Sequence, residues 1–266
     1  MKEQQARQPW ATSTFADCST QSLCVIKIVA DTSMKLGTLD LDDSDEKAQD
    51  TVINSIPASS SFGFTIGAKG LLMPCISDIR RLASRVKPGI ITDSIRDSAN
   101  DILRRLDECR AVALSESRAE LVAPPTESSR HSTMAFYHLM AFICATYIYL
   151  HRTIFNVTPE GIKETVAEVF HYVQAYFALN DGNFTLWPVF IASVEAYQEE
   201  DLAAAMSWLE NASKVGMGNR VKIQAVIKEV WRTRQNIAIS SGQDLGSTIV
   251  DWRDVMTKLD ADIVLV

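Results

Sequence analysis

Apolar side chains recur at steps of three and four residues through most of the chain after Gly70, with polar side chains between them. This spacing places one apolar stripe along each of a series of helices. The stripes are Ile76, Ile79, Leu82, Val86; Ile95, Ala99, Ile102, Leu106, Cys109, Ala113; Ile162, Val166, Val169, Val173, Tyr176; Ile223, Ile227, Val230, Trp231; and Trp252, Val255, Met256. The pattern predicts an all-α fold of roughly eight helices without a sheet.

Residues that begin and end helices support this pattern. Thr92 is predicted to cap one helix, and Thr158-Pro159-Glu160 combines a capping hydroxyl, a proline suited to the first turn and an acidic residue near the helix N-terminus. Lys87-Pro88-Gly89 and Asn180-Asp181-Gly182 are typical of helix ends. The scarcity of Gly (11) and Pro (8) also favours helices.

The N-terminal quarter lacks this pattern. Residues 1–37 show no clear helical period, and Leu23–Val29 is typical of a lone strand. Residues 38–61 are acidic and then serine-rich, a composition that buries too little apolar surface to offset the entropy of ordering. We therefore predict a largely disordered or irregular segment over 1–61 and a helical domain over 62–266, with a second flexible stretch at about 115–130.

The most apolar stretch runs from Met134 to Leu150 and contains His138. A membrane-spanning helix needs about 20 apolar residues. This stretch is shorter and carries hydroxyl groups, so it predicts a buried core helix and no membrane contact.

Charge and cysteine content narrow the cellular setting. The net charge is −7, whereas a protein that binds nucleic acid through phosphates usually carries excess Lys and Arg. The basic groups Arg80, Arg81, Arg85, Lys87 and Arg104, Arg105, Arg110 are interpreted as solvated helix faces, so we expect no direct DNA contact. The N-terminus lacks the apolar core of a signal peptide, and an odd number of cysteines (five) predicts reduced thiols in an intracellular protein.

The search for reactive motifs predicts no catalytic residue, no metal site and no cofactor. The acids Asp42-Asp43-Ser44-Asp45-Glu46 are similar to the aspartate-rich motif of helical terpene cyclases, but a second magnesium-binding motif is missing. Val215–Asn219 is interpreted as a turn between helices and not as a dinucleotide loop. Cys75, Cys109 and Cys144 fit core positions, and His138 and His151 fit satisfied positions in or beside the core.

Several segments in the C-terminal half form an ordered set. They are Tyr149-Leu150-His151-Arg152, Leu186–Ala192 with its Trp187-Pro188, Glu195-Ala196, Glu229-Val230-Trp231 and Asp251–Met256. Together with Phe62-Gly63-Phe64, Leu71–Pro74 and Ile79–Leu82, this set resembles the regulatory domain of fungal-specific zinc-cluster transcription factors. The resemblance covers about residues 62–266.

The size or charge of three residues in these segments indicates a structural role for them. Trp187 and Trp252 are large apolar anchors whose burial contributes a few kcal/mol each. Glu195 lies within an apolar stretch, so it needs a buried partner such as an arginine. We therefore interpret these residues as parts of the packed core. Residues that would bind a small-molecule effector are not assigned.

The resemblance implies a nuclear transcription regulator that controls metabolic or secondary-metabolite genes through co-regulators or a homo- or heterodimer partner. Members of the family carry six zinc-binding cysteines at their start, whereas Cys18 and Cys24 alone stand near the start of this chain. Zinc and zinc-cluster DNA recognition are therefore not carried over. The chain fits a truncated gene product, a fragment or a natural member that acts through partners, and its unusual first 60 residues favour a shortened gene or gene model. Two alternatives stay open: a helical small-molecule binder or enzyme with an internal pocket, and a truncated interaction protein that competes for dimer partners.

Overall fold

The computed structural model describes residues 14–33, 72–86, 90–120, 127–179, 184–213, 218–261, 263 and 265. Within these ranges the chain forms nine helices and no strand. They are α1 Thr14–Ser33, α2 Leu72–Arg85, α3 Asp93–Glu120, α4 Glu127–Thr153, α5 Pro159–Leu179, α6 Leu186–Glu195, α7 Glu199–Ser213, α8 Gly218–Ser241 and α9 Trp252–Lys258. The all-α prediction is confirmed.

Helix α4 is the centre of the domain. Its residues Leu139–Thr146 and Ile148–Leu150 are buried, and it packs against α2, α3, α5 and α6. By length and composition alone, Ser129–Thr153 is apolar enough to cross a membrane, but 67% of its most apolar window is buried inside the protein. This confirms the prediction of a core helix.

The predicted stripes face the core. All six residues of the α3 stripe are buried, as are Ile162, Val166, Val169 and Val173 of α5, because helical spacing brings them onto one face. The capping prediction for Thr92 is also confirmed, since its Oγ1 accepts a hydrogen bond from Ile95 N at 3.3 Å. Helix α8 ends at Ser241 and is followed by Gly242, whose φ of +69° places it in the left-handed region that glycine adopts without strain.

The structure corrects the interpretation of the N-terminal segment. Leu23–Val29 belongs to helix α1 and not to a strand, and Cys24, Val25, Ile28 and Val29 are buried in the common core. β-Branched residues misled the local analysis, because tertiary packing overrides a modest strand propensity. The helical domain therefore begins before residue 62, and the remaining residues of 1–61 lie outside the described ranges.

Two further boundaries differ from prediction. The stretch 115–130 was predicted to be flexible, but α3 continues to Glu120 and α4 begins at Glu127. The apolar run after Trp187-Pro188 also predicts one helix that reaches about Gln198, but α6 ends at Glu195 and α7 begins at Glu199. The Asp42–Glu46 acids and most of the Val215–Asn219 turn lie outside the described residues.

Candidate functional site: a buried arginine hub

Helix α6 carries the Trp-Pro motif into the middle of the core, where all ten of its residues are buried. The Trp187 ring stacks on Phe142 of α4 at 5.6 Å between centroids and meets the edge of Tyr149 at 6.0 Å. Its Nε1 donates a hydrogen bond to Thr32 Oγ1 of α1 at 3.0 Å. Trp187 therefore joins three helices through both its apolar face and its single polar atom.

The Asp-Trp-Arg motif begins α9 on the same side of α6. Asp251 caps this helix by accepting a hydrogen bond from Arg253 N at 2.9 Å. The Trp252 ring meets Phe190 of α6 edge-on at 5.0 Å. Both motif tryptophans are thus buried in one helical core, 0% exposed for Trp187 and 4% for Trp252.

Arg253 connects this motif to two other helices. Its Nε donates to the Thr32 carbonyl at 3.2 Å, and its Nη2 donates to Thr153 Oγ1 at 3.2 Å. The guanidinium also lies 4.5 Å from the ring centroid of Trp252 and 5.4 Å from that of Tyr149. A buried cation is stabilised here by helix-end oxygens and by two aromatic faces.

Glu195, the last residue of α6, is the buried anion of the site. Its Oε1 lies 2.8 Å from Arg152 Nε, and its Oε2 lies 3.3 Å from Arg234 Nη2. The Glu195 and Arg234 side chains are 2% and 1% exposed, so water screens the attraction little. The predicted arginine partner of Glu195 is confirmed, and there are two such partners.

Arg234 also closes the C-terminal end of α6. Its Nη2 donates to the Val194 carbonyl at 2.8 Å, its Nη1 to Ala196 at 3.0 Å and its Nε to Thr248 at 3.2 Å. The last carbonyls of a helix have no partner within the helix and carry partial negative charge, so a guanidinium satisfies them. Burial lowers the pKa of Arg234, while the Glu195 carboxylate opposes that shift.

Arg80 extends this pattern to α1 and corrects another prediction. We placed it on a solvated face, but it is buried, and its Nε donates to the Asp31 carbonyl at 3.0 Å. Arg80, Arg234 and Arg253 are thus buried, the Arg152 side chain is 9% exposed, and all four bind helix-end oxygens or Glu195. We call these four arginines with Glu195 the arginine hub.

The hub binds chain segments together, and the three buried thiols with shifted pKa values are poor nucleophiles. Burial raises the pKa of the Cys24 thiol to about 11 and that of Cys75 to about 12, and it also raises the pKa of Cys144. A thiol with a raised pKa forms little of the nucleophilic thiolate at neutral pH. Among the residues that the structure describes, no group of His, Cys, Asp and Glu side chains could hold a metal ion.

The two histidines near the apolar helix occupy the predicted kinds of position. His138 is buried against Phe142 and Phe184, and its Nε2 lies 2.7 Å from Thr185 Oγ1. His151 is partly buried at the end of α4, with its ring 5.9 Å from that of Phe155. Neither lies in a metal-binding group.

The position of His151 predicts a pH effect on stability. Burial lowers its pKa below the ordinary 6.5, so the folded protein binds fewer protons at this group than the unfolded chain. The stabilising contribution of neutral His151 is therefore fully present above pH 6.5. It is lost as the pH falls from 6.5 through the lower pKa of His151 in the folded protein. We expect His151→Asn to flatten this loss between pH 7 and pH 5.

Urea unfolding midpoints at pH 7.5, 6.0 and 5.0, followed by circular dichroism, measure this effect. An exposed histidine on α5, His171, provides the control variant His171→Asn, which removes one imidazole without changing a buried position. If the unfolding midpoints of wild type and His151→Asn change in parallel with pH, His151 is not the source of the pH effect.

Two hub residues, Arg80 and Arg234, and also Thr32 were missed in the sequence, although the two arginines carried a signal. Arg80 and Arg234 occupy positions within apolar stripes, next to Ile79 and one turn after Val230. A charged residue at a core position indicates a buried partner. Thr32 carried no signal, because its partners Trp187 and Arg253 lie 155 and 221 residues away in sequence.

The comparisons with known proteins agree with the motifs. A family model described as the fungal specific transcription factor domain matches residues 1–266. No curated protein and no solved structure matches the chain. The match includes α1, which the sequence resemblance had left out, and no zinc-cluster domain accompanies it. The chain belongs to the fungal specific transcription factor domain family and has the role of a transcription regulator.

Proposed function

We propose that this chain is a non-catalytic regulatory domain that acts in the nucleus on metabolic or secondary-metabolite genes through bound protein partners. The observation that carries the proposal is a pair of buried contact sets: the Trp-Pro and Asp-Trp-Arg segments both bind Thr32 of α1, and Glu195 binds Arg152 and Arg234. Satisfied buried polar contacts fix the helices that they join relative to one another, which suits a domain that transmits a binding event.

Charge supports action through proteins and not through direct contact with DNA. The net charge of −7 disfavours contact with phosphates. On the long surface helix α3, the basic Arg104 is already paired with Asp101 at 2.7 Å and Glu108 at 2.5 Å. Arg105 likewise pairs with Asp78 at 2.8 Å. These arginines are neutralised by acids of the same protein, so they form no free basic patch for a duplex.

A tethering experiment tests regulatory activity directly. The full chain is fused to an unrelated DNA-binding domain and expressed in a fungal cell with a reporter gene that carries the matching site. We expect reporter transcription to change several-fold relative to the DNA-binding domain alone. An unchanged reporter, with the fusion present at equal abundance and in the nucleus, would overturn the proposal.

A variant that loosens the hub provides the matched comparison. Arg253→Gln removes the contact between α9 and α1 but leaves the exposed surface of the fusion nearly unchanged, since Arg253 is 5% exposed. Arg104→Gln, on an exposed side chain, is its control. We expect the reporter response to weaken with Arg253→Gln alone.

DNA contact is tested separately by fluorescence anisotropy with mixed promoter duplexes at physiological salt. We expect no binding tighter than the micromolar, non-specific level. Tight, sequence-dependent binding would show that this chain reads DNA itself and would refute action through partners only.

A further inference from the structure

Helix α8 presents one long face to solvent. Its buried residues recur at steps of three and four and pack toward α6, α7 and α9. The opposite face carries Val221 and Ile239, which are 62% and 74% exposed. These two residues are five full helical turns apart, about 27 Å, so their side chains leave the helix in the same direction. We call the line of exposed residues Val221, Ala225, Lys228, Arg232 and Ile239 the α8 ridge.

The ridge is basic between its two apolar ends. Helix α8 contains five basic residues and one acidic residue, whereas the whole chain has a net charge of −7. Lys228 lies on the ridge and Lys222 lies beside it, and both are exposed. Within the described part of the chain, neither lysine forms an ion pair. Both ammonium groups are therefore available to a partner.

The single acid of α8, Glu229, is already bound by two cations. Its Oε1 lies 2.6 Å from Arg232 Nη2, and its Oε2 accepts a hydrogen bond from Arg232 Nε at 2.7 Å. Lys258 Nζ of α9 lies 3.7 Å from the same Oε1. Two cations share one carboxylate, so this group keeps a net positive charge. The ridge thus presents cations without a free carboxylate to oppose an acidic partner.

This arrangement is complementary to an acidic helix that has apolar residues. Opposite charges across an interface guide association and set its register, and an exposed apolar side chain gains stability when a partner covers it. The length of the ridge equals that of a helix of about 18 residues, and amphipathic helices commonly bind partners along one face.

The two other classes of partner fit less well. A two-fold contact of the ridge with a second copy of this chain would place one basic surface against another, and like charges repel. Nucleic acid is bound through dense Lys and Arg contacts to phosphates, which make no use of exposed Val221 and Ile239.

We propose that the α8 ridge binds an acidic amphipathic helix of a partner protein. The partner's apolar side chains cover Val221 and Ile239, and its carboxylates pair with Lys222, Lys228 and Arg232. This inference rests on the proposed function, since it names the class of protein through which the regulatory domain acts.

A synthetic helical peptide of about 20 residues tests the ridge, with leucines along one face and glutamates beside them. The fluorescein-labelled peptide is titrated with the full chain at physiological salt, and binding is read by fluorescence anisotropy. We expect a Kd of roughly micromolar, and binding about tenfold weaker for Lys228→Glu and for Ile239→Ser. A peptide with lysine in place of every glutamate should not bind.

Each variant has a control of the same chemistry on another helix. Arg96→Glu reverses a charge on α3, where the side chain is 57% exposed. Leu23→Ser removes an apolar side chain from α1 that is 66% exposed. Both controls should bind the acidic peptide with wild-type affinity.

Four results would overturn the ridge. They are no binding by wild type, equal weakening by Lys228→Glu and Arg96→Glu, a dimer in sedimentation velocity that Lys228→Glu converts to a monomer, and binding of a DNA duplex that Lys228→Glu abolishes. The third would identify a second copy as the occupant of the ridge, and the fourth would identify nucleic acid.

The tethered reporter separates this inference from the proposed function. If the fusion regulates the reporter and Lys228→Glu behaves like Arg96→Glu, the ridge is not the regulatory surface and the proposed function stands. If the chain binds the peptide but no fusion changes the reporter, the proposed function fails.

Discussion

Replacement of Glu195 by glutamine is expected to lower the free energy of unfolding by about 3–5 kcal/mol, the cost of leaving buried charge uncompensated. Glutamine keeps the shape of the side chain, so the change removes the charge and little else. Arg152 and Arg234 would then face each other without an anion. Arg234 is held at that place by three backbone carbonyls and cannot move to water without losing them.

Urea unfolding followed by circular dichroism at 222 nm measures this loss. The control is Glu108→Gln, which breaks an ion pair to Arg104 whose side chains are 59% and 60% exposed. Water screens exposed ion pairs and they contribute little to stability, so this variant should remain near wild type. If the two variants unfold at the same urea concentration, Glu195 is not the counter-ion that the hub requires.

A double variant separates charge from packing. In the Glu195→Gln background, Arg152→Gln removes one of the two unpaired cations. We expect the double variant to be less destabilised than the sum of the two single changes, because the groups interact directly. Additive losses would indicate that Glu195 and Arg152 act independently.

Replacement of Trp187 by alanine is expected to cost about 3–5 kcal/mol, the range for removing a large buried aromatic side chain. The indole is fully buried, and its loss would leave Phe142 and Tyr149 facing a cavity. Trp187→Phe keeps an aromatic ring but removes the donor to Thr32, so we expect an intermediate loss of about 1–2 kcal/mol.

The same unfolding measurement compares these variants with Ile239→Ala. Ile239 is 74% exposed on α8, so its truncation should change stability by less than about 0.5 kcal/mol. A Trp187→Ala chain as stable as Ile239→Ala would mean that the Trp-Pro motif does not anchor the core. Equal losses for the alanine and phenylalanine variants would place most of the effect in the hydrogen bond.

The structure shows how motif segments that are scattered along this sequence meet in the fold. Arg152 follows the Tyr-Leu-His segment, Glu195 ends the Trp-Pro helix, and Arg253 lies in the Asp-Trp-Arg segment. Each binds a partner from another helix, so a change in one segment leaves a buried polar group of another unsatisfied. Buried polar groups that lose a partner lower the stability of the fold, so the residues of these segments depend on one another.

Local chemistry in the sequence determined the helices and their buried faces. The α3 stripe, the Thr92 cap and the start of α5 at Pro159 each depend on residues within a few positions of one another. The same local logic marked Glu195 as an anion in need of a partner, since burying a charge without one is costly in any fold. These features followed from helical periodicity and hydrogen-bond satisfaction alone.

The tertiary structure decided which distant groups meet. Arg234 lies 39 residues from Glu195, and Arg253 lies 221 residues from Thr32, so no local pattern pairs them. It also decided that α1 belongs to the domain, because its β-branched residues are stabilised as a helix only by the core against which they pack. Local propensities amount to tenths of a kcal/mol per residue, whereas burial of an apolar side chain contributes about 1.5–3 kcal/mol, so long-range packing prevails where the two disagree.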